Sequence, residues 1–141
     1  MTNREFWEKL DELSWQEMSM MRELSFQSLL KKGYDENRRI LIACYYDRTF
    51  PGMAKQAYIE LDDGRYMICY TSKQIAKSAH IGDDWNEALI RDVLNNFFNK
   101  KVIAGLIFNP YCENMMIVPK PLLEILMPGE KEKPPFYQEP K

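Results

Sequence analysis

Gln56-Ala57-Tyr58-Ile59-Glu60-Leu61-Asp62-Asp63-Gly64-Arg65-Tyr66-Met67-Ile68-Cys69-Tyr70 is the stretch that decides the fold. Two β-forming runs flank Asp62-Asp63-Gly64, and Asp and Gly tolerate the positive φ angles that a tight connection demands. The first run, Gln56 to Leu61, alternates weakly. The second, Arg65 to Tyr70, reads as the strand that completes the hairpin.

Working outward, Arg39 to Tyr46 is rich in Ile, Leu and Tyr and reads as a strand, followed by a loop at Thr49-Phe50-Pro51-Gly52. Val102 to Phe108 is a further β run that ends on the turn pair Asn109-Pro110, and Met115 to Val118 is a short one. These segments predict an α+β fold with a mixed five-stranded sheet, three strands N-terminal and two C-terminal, packed against helices.

The first third reads as helix. Thr2 and Glu5 have capping-box spacing, Phe6, Leu10 and Leu13 share a face, and Met21, Leu24 and Phe26 restore apolar density further on. Ser14 or Ser25 can interrupt the run, so one long helix and two shorter ones both fit. Lys31-Lys32-Gly33 supplies an ending, with cations for the helix dipole and then a residue suited to the left-handed cap. Thr71 with Gln74 opens a short helix, and Asp84 with Glu87 opens a longer one. In the latter, Trp85, Ala88, Leu89, Val93, Leu94, Phe97 and Phe98 form a wide apolar stripe opposite Glu87, Arg91, Asn95 and Asn99, which predicts a helix lying across the sheet. Pro121 suits the first turn of a last helix carrying Leu122, Leu123, Ile125 and Leu126, stopped by Met127-Pro128-Gly129. The implied organisation is an N-terminal helical extension over 1–33, an α+β domain over 34–128 and a charged, Pro-rich tail over 129–141.

Length and composition suit one globular domain. Of 141 residues, 45% are hydrophobic and 28% charged, so no disulfide or metal staple is needed for a core. Nineteen Lys and Arg against twenty-one Asp and Glu give a net charge of -2, the wrong balance for a nucleic-acid binder. Cys44, Cys69 and Cys112 are odd in number and lack C-x-x-C spacing, which speaks against disulfides and structural zinc. The charged amphipathic start is unlike a signal peptide and no run is long enough to cross a bilayer, so the expectation is a cytoplasmic chain with no membrane partner.

From about Arg38 to Met127, roughly two-thirds of the chain, the sequence resembles the N-terminal domain of the SseB family, bacterial proteins named for enhanced serine sensitivity. Three segments in order carry the resemblance. The strand Arg65-Tyr66-Met67-Ile68-Cys69-Tyr70 runs into the helix start Thr71-Ser72, with Tyr70 where the family more usually has Phe. Ala104-Gly105-Leu106-Ile107-Phe108 runs into Asn109-Pro110, and Met116-Ile117-Val118-Pro119 leads directly into Pro121-Leu122-Leu123. The resemblance implies an α+β fold and no chemistry, since the family has no established biochemical activity. It covers the family's first domain alone, and the Met-rich N-terminal helix is less typical of it.

Catalytic readings are thin. His80 is the only histidine, and a general base needs a nucleophile and an orienting partner within reach. Asp62-Asp63 and Asp83-Asp84 already have turn and capping roles, the glycines are scattered singly, and no G-x-S-x-G elbow occurs. Cys112, beside a turn, is the most exposed thiol by position, with no cation nearby to activate it. The expectation is no enzyme, no cofactor and no metal.

Two features point to a binding surface. Trp15, Met18 and Met21, with Met20, form a soft apolar cluster suited to an irregular partner, or else pack on the core. The turn Asn109-Pro110-Tyr111-Cys112 offers an aromatic anchor, and lies beside Thr71 if the two strands leading to them are neighbours. The leading expectation is a non-catalytic protein-interaction module using Trp15, Met18, Met21, Thr71, Asn109 and Tyr111, with an unidentified protein partner or a second copy of the chain as a homodimer. The rivals are a small-molecule domain for an amino acid or related metabolite, suggested by the family's link to serine tolerance, and a toxin-immunity or secretion-accessory protein.

Overall fold

The computed structural model describes residues 1–46, 54–98 and 103–126. The loop expected at Thr49–Gly52, the start of the strand expected at Val102, the stop at Met127–Gly129 and the tail lie outside them. The elements run α1 (Asn3–Ser14), α2 (Met20–Asp35), β1 (Arg39–Tyr46), β2 (Ala54–Gln56), β3 (Tyr58–Leu61), β4 (Gly64–Tyr70), α3 (Lys73–Ala79), β5 (Asp84–Leu89), α4 (Ile90–Phe98), β6 (Ile103–Phe108), β7 (Met116–Pro119) and α5 (Lys120–Leu126).

The architecture is α+β with one mixed sheet, and its hairpin is β3–β4, registered from Tyr58↔Met67 to Leu61↔Gly64. Five consecutive buried residues, Tyr66 to Tyr70, show that both faces of β4 are covered, because successive side chains point to opposite faces. On one side β4 runs parallel to β6; that connection passes through α3, β5 and α4, and β6 then turns antiparallel into β7. Gly105 of β6 is required by close approach. A Cβ there would strike the Val118 carbonyl oxygen and lie 2.8 Å from the Tyr66 ring.

Among the described residues the sheet has seven strands, not five, for two reasons. The run expected as one strand over 56–61 is divided at Ala57. Its N–H donates to the Ala43 carbonyl of β1 (2.8 Å) and its own carbonyl accepts from Ile68 of β4 (3.2 Å). The chain thus crosses a fork: β1 and β4 pair directly only at Leu41↔Tyr70 and Ile42↔Cys69, then diverge around β2 and β3.

The second reason is a correction. Residues 84–89 form β5 rather than the first turns of a helix, pairing with β1 from Arg39↔Leu89 to Cys44↔Asp84. Helix propensity there differs from strand propensity by a few tenths of a kcal/mol per residue, less than the backbone bonds and apolar contacts that β1 offers. Asp84 does not cap a helix; its Oδ1 accepts from the adjacent Trp85 N–H and its Oδ2 from the Tyr46 hydroxyl. The helix begins at Ile90, where the stripe resumes with Val93 and Leu94 buried.

α1 and α2 are two helices, each with its own cap. Thr2 accepts from the Glu5 N–H and Ser19 from the Arg22 N–H, both at 3.1 Å. Gly33 does not end α2, which continues to Asp35; the left-handed residue is Asn37, at φ 56°. Gly33 instead lets the helix approach its neighbours, since a Cβ would come within 2.5 Å of Phe6 and 2.8 Å of Ile90. Phe6, Leu10, Phe26 and Leu30 lie in the same core as β1, β4 and β6, and the Phe26 ring meets Phe108 edge-on at 5.0 Å. The short helix after β4 is capped by Ser72, not Thr71. Among the described residues no helix is long and apolar enough to cross a membrane.

Candidate functional site

β4 and β6 are parallel neighbours, so Thr71 and Asn109, which follow them, emerge at the same end of the sheet. Their side chains are buried and bonded to each other. Asn109 Oδ1 accepts from the Thr71 N–H (3.0 Å), and Asn109 Nδ2 donates to Thr71 Oγ1 (2.9 Å) and to the Asn114 carbonyl (3.4 Å). Thr71 Oγ1 in turn donates to Asp11 of α1 (2.6 Å), and Asn114 Nδ2 donates to Ser14 Oγ (3.0 Å). Five side chains thus fasten the C-terminal end of α1 to the turn between β6 and β7. Asn109 holds φ at 55°, a conformation Asn accepts better than most residues.

Thr71 and Asn109 therefore do not present themselves to a partner: they are interior parts of this network. What they do is set two exposed segments at one end of the molecule. One is the α1–α2 turn with the start of α2, where Trp15 is 56% exposed, Met18 81%, Met20 78% and Met21 71%. The methionines do not pack on the core. The other is the β6–β7 turn, where Tyr111 is 82% exposed at φ 67°, a left-handed backbone unusual for a bulky residue. Ser14 precedes Trp15 and bonds Asn114 of that second turn, so one fastening serves both.

The α1–α2 turn is held from within by Arg22. This nearly buried side chain donates to the carbonyls of Ser14 (3.4 Å) and Gln16 (3.2 Å), and its other Nη donates to Glu23 (3.0 Å). Arg22, Asp11, Ser14 and Asn114 escape sequence reasoning. Asp11 and Ser14 bond Asn114 from 103 and 100 residues away, which nothing in a single chain marks, and the Arg22 partners, though local, are two backbone carbonyls and a neighbouring carboxylate with no motif to announce them.

Beside the turn a half-open cleft of about 600 Å³ is walled by Arg4, Trp7, Glu8, Asp11, Glu12 and Trp15 of the α1 side, and by Thr71, Ser72 and Lys73. The volume is in the range of ligand sites. The Lys73 ammonium lies over two indoles, 5.5 Å from the Trp7 centroid and 5.7 Å from that of Trp85.

Several other titratable groups serve the fold. His80 is exposed and ends α3 in the left-handed conformation, φ 53°. Asp83 accepts from the Tyr46 N–H at 2.7 Å, and the Tyr46 hydroxyl on Asp84 holds that carboxyl below its ordinary value. Burial pushes the Cys69 thiol well up, and burial with Asp84 and Asp83 raises Cys44, so neither is a ready thiolate. Cys112 is half-buried. Among the described residues no group of three or more His, Cys, Asp or Glu converges as a metal site.

No protein-family model matches the chain. No curated protein and no solved structure matches it either.

Proposed function

We propose that this chain is a non-catalytic protein-interaction module of SseB N-terminal type, which binds a protein partner through the α1–α2 turn and the neighbouring Tyr111 turn. The observation that carries the reading is the exposure of Trp15, Met18, Met20 and Met21 together on one turn that Arg22 and the Asn109 network hold in place. All four are more than half exposed, so they leave apolar surface in water that a partner can cover. Methionine adds a deformable surface, and a turn fixed before binding loses little entropy on association. The SseB part of the reading is supported by the order of the three sequence segments given above.

The test is affinity capture from an extract of the source cells with the intact chain and with a Met18→Ser/Met21→Ser variant, followed by titration of the captured protein. A specific protein that the variant binds at least about tenfold more weakly is expected. Equal capture by both chains, or none by the intact chain, overturns the assignment of this turn.

A further inference from the structure

The cleft beside the interaction turn holds an unbalanced charge. Its walls carry three carboxylates, Glu8, Asp11 and Glu12, and two cations, Arg4 and Lys73. Both cations are engaged: Arg4 pairs with Glu8 at 3.1 Å, and Lys73 is drawn onto the Trp7 and Trp85 rings. Asp11 is half-buried, and the donors on it are neutral, the Thr71 hydroxyl at 2.6 Å and the Asn114 amide at 3.5 Å. Glu12, one residue on, has no ion-pair partner among the described residues. A carboxylate withdrawn from water with no counter-ion favours the arrival of one. Against these two acids stand Trp7 and Trp15, whose ring faces attract cations, and the neighbouring Lys73 shows that an ammonium is held on indole faces here.

We propose that this cleft receives a lysine or arginine side chain of the protein partner, with Asp11 and Glu12 as its counter-charges and the Trp15 indole as its stacking wall. The proposal rests on the interaction reading above and names what the partner must carry. Trp15 belongs to both surfaces, so a partner covering the methionines places a basic residue beside the cleft mouth. Arginine is the better fit, because its planar guanidinium stacks on an indole while donating to carboxylates. An anionic occupant would face the surplus carboxylates with both cations already engaged.

The test uses the full chain and three small probes: acetyl-arginine N-methylamide, its lysine counterpart, and its citrulline counterpart, which keeps the shape without the charge. Titration is followed by NMR of the backbone amides and the three tryptophan indole N–H signals. The arginine probe is expected to shift the Trp15 and Trp7 indoles, to bind about tenfold more tightly than citrulline, and to weaken as salt rises. Glu12→Gln, on the exposed side of α1, is expected to weaken the arginine probe several-fold and the citrulline probe by a clearly smaller factor. Equal affinity for arginine and citrulline, shifts confined to other parts of the molecule, or no shift at millimolar probe overturns the cation site. That failure is distinct from failure of the interaction reading, which is scored by partner capture and its loss on Met18→Ser/Met21→Ser. A partner still captured while Glu12→Gln changes nothing retains the module and removes the cleft from it.

Discussion

Replacing Asn109 tests whether the buried network fixes this end of the molecule. In Asn109→Ala the Thr71 N–H loses its acceptor inside the protein, a loss of about 1–3 kcal/mol for a buried unsatisfied group. The amide donations to Thr71 Oγ1 and the Asn114 carbonyl vanish as well, together worth about 1 kcal/mol, since Thr71 keeps its bond to Asp11. Alanine must also adopt φ 55°, at about 1 kcal/mol. The expected loss is about 3–5 kcal/mol, a large share of the stability of a domain this size. Asn109→Gly removes the same hydrogen bonds without the left-handed strain, so it should be more stable than the alanine variant by about 1 kcal/mol. Urea unfolding followed by circular dichroism gives both values, provided the slope with denaturant is unchanged. If both variants unfold within about 1 kcal/mol of the parent chain, the network does not anchor α1, and the placement of both exposed turns needs another cause.

Two further outcomes follow from packing and titration. Gly33→Ala places a methyl 2.5 Å from the Phe6 ring and 2.8 Å from Ile90, so urea unfolding should show about 1–3 kcal/mol of overpacking, and none if α2 can simply shift outward. Tyr66 and Tyr70 are both pushed up to about 12, chiefly by burial, from an ordinary value of 10.0. Their folded form binds the proton more tightly than the unfolded one, so their contribution is complete below pH 10 and is lost as pH rises from 10 to 12. The slope is about 1.4 kcal/mol per pH unit for each tyrosine. Unfolding free energies at pH 9, 10.5 and 11.5 check this; a Tyr66→Phe/Tyr70→Phe variant should show a shallower decline, the raised Cys69 and Cys44 thiols supplying the remainder, and an unchanged decline would show that the tyrosines contribute nothing.

How much was legible depended on how local the deciding interaction was. Asp62-Asp63-Gly64 announced its hairpin because the turn chemistry lies within the turn itself, and Thr2 and Glu5 announced their cap for the same reason. Even the adjacency of Thr71 and Asn109 was readable as a condition, needing only that β4 and β6 be neighbours. Over residues 84–89 the apolar stripe from Trp85 onward is compatible with a helix, and only the unsatisfied edge of β1 selects the strand. The division at Ala57 was invisible, since it arises from two backbone bonds to two different strands. At the site, the exposed methionines and Tyr111 could be named but Thr71 and Asn109 could not be placed inside. Whether a polar residue near a turn faces water or closes a network depends on Asp11 and Asn114, far away along the chain.

The fastening of α1 has a consequence for the order of assembly. Its last turn is secured by Asn114, 100 residues beyond Ser14 and 103 beyond Asp11. During synthesis at about 5–20 residues per second, the first helix emerges several seconds before its mooring exists. Until then Phe6, Trp7 and Leu10 have no finished sheet to cover and stay exposed on the nascent chain. Contacts so distant in sequence make loop closure the slow event, so this fold is expected to set late, in a single concerted step, with α1 among the last pieces to lock.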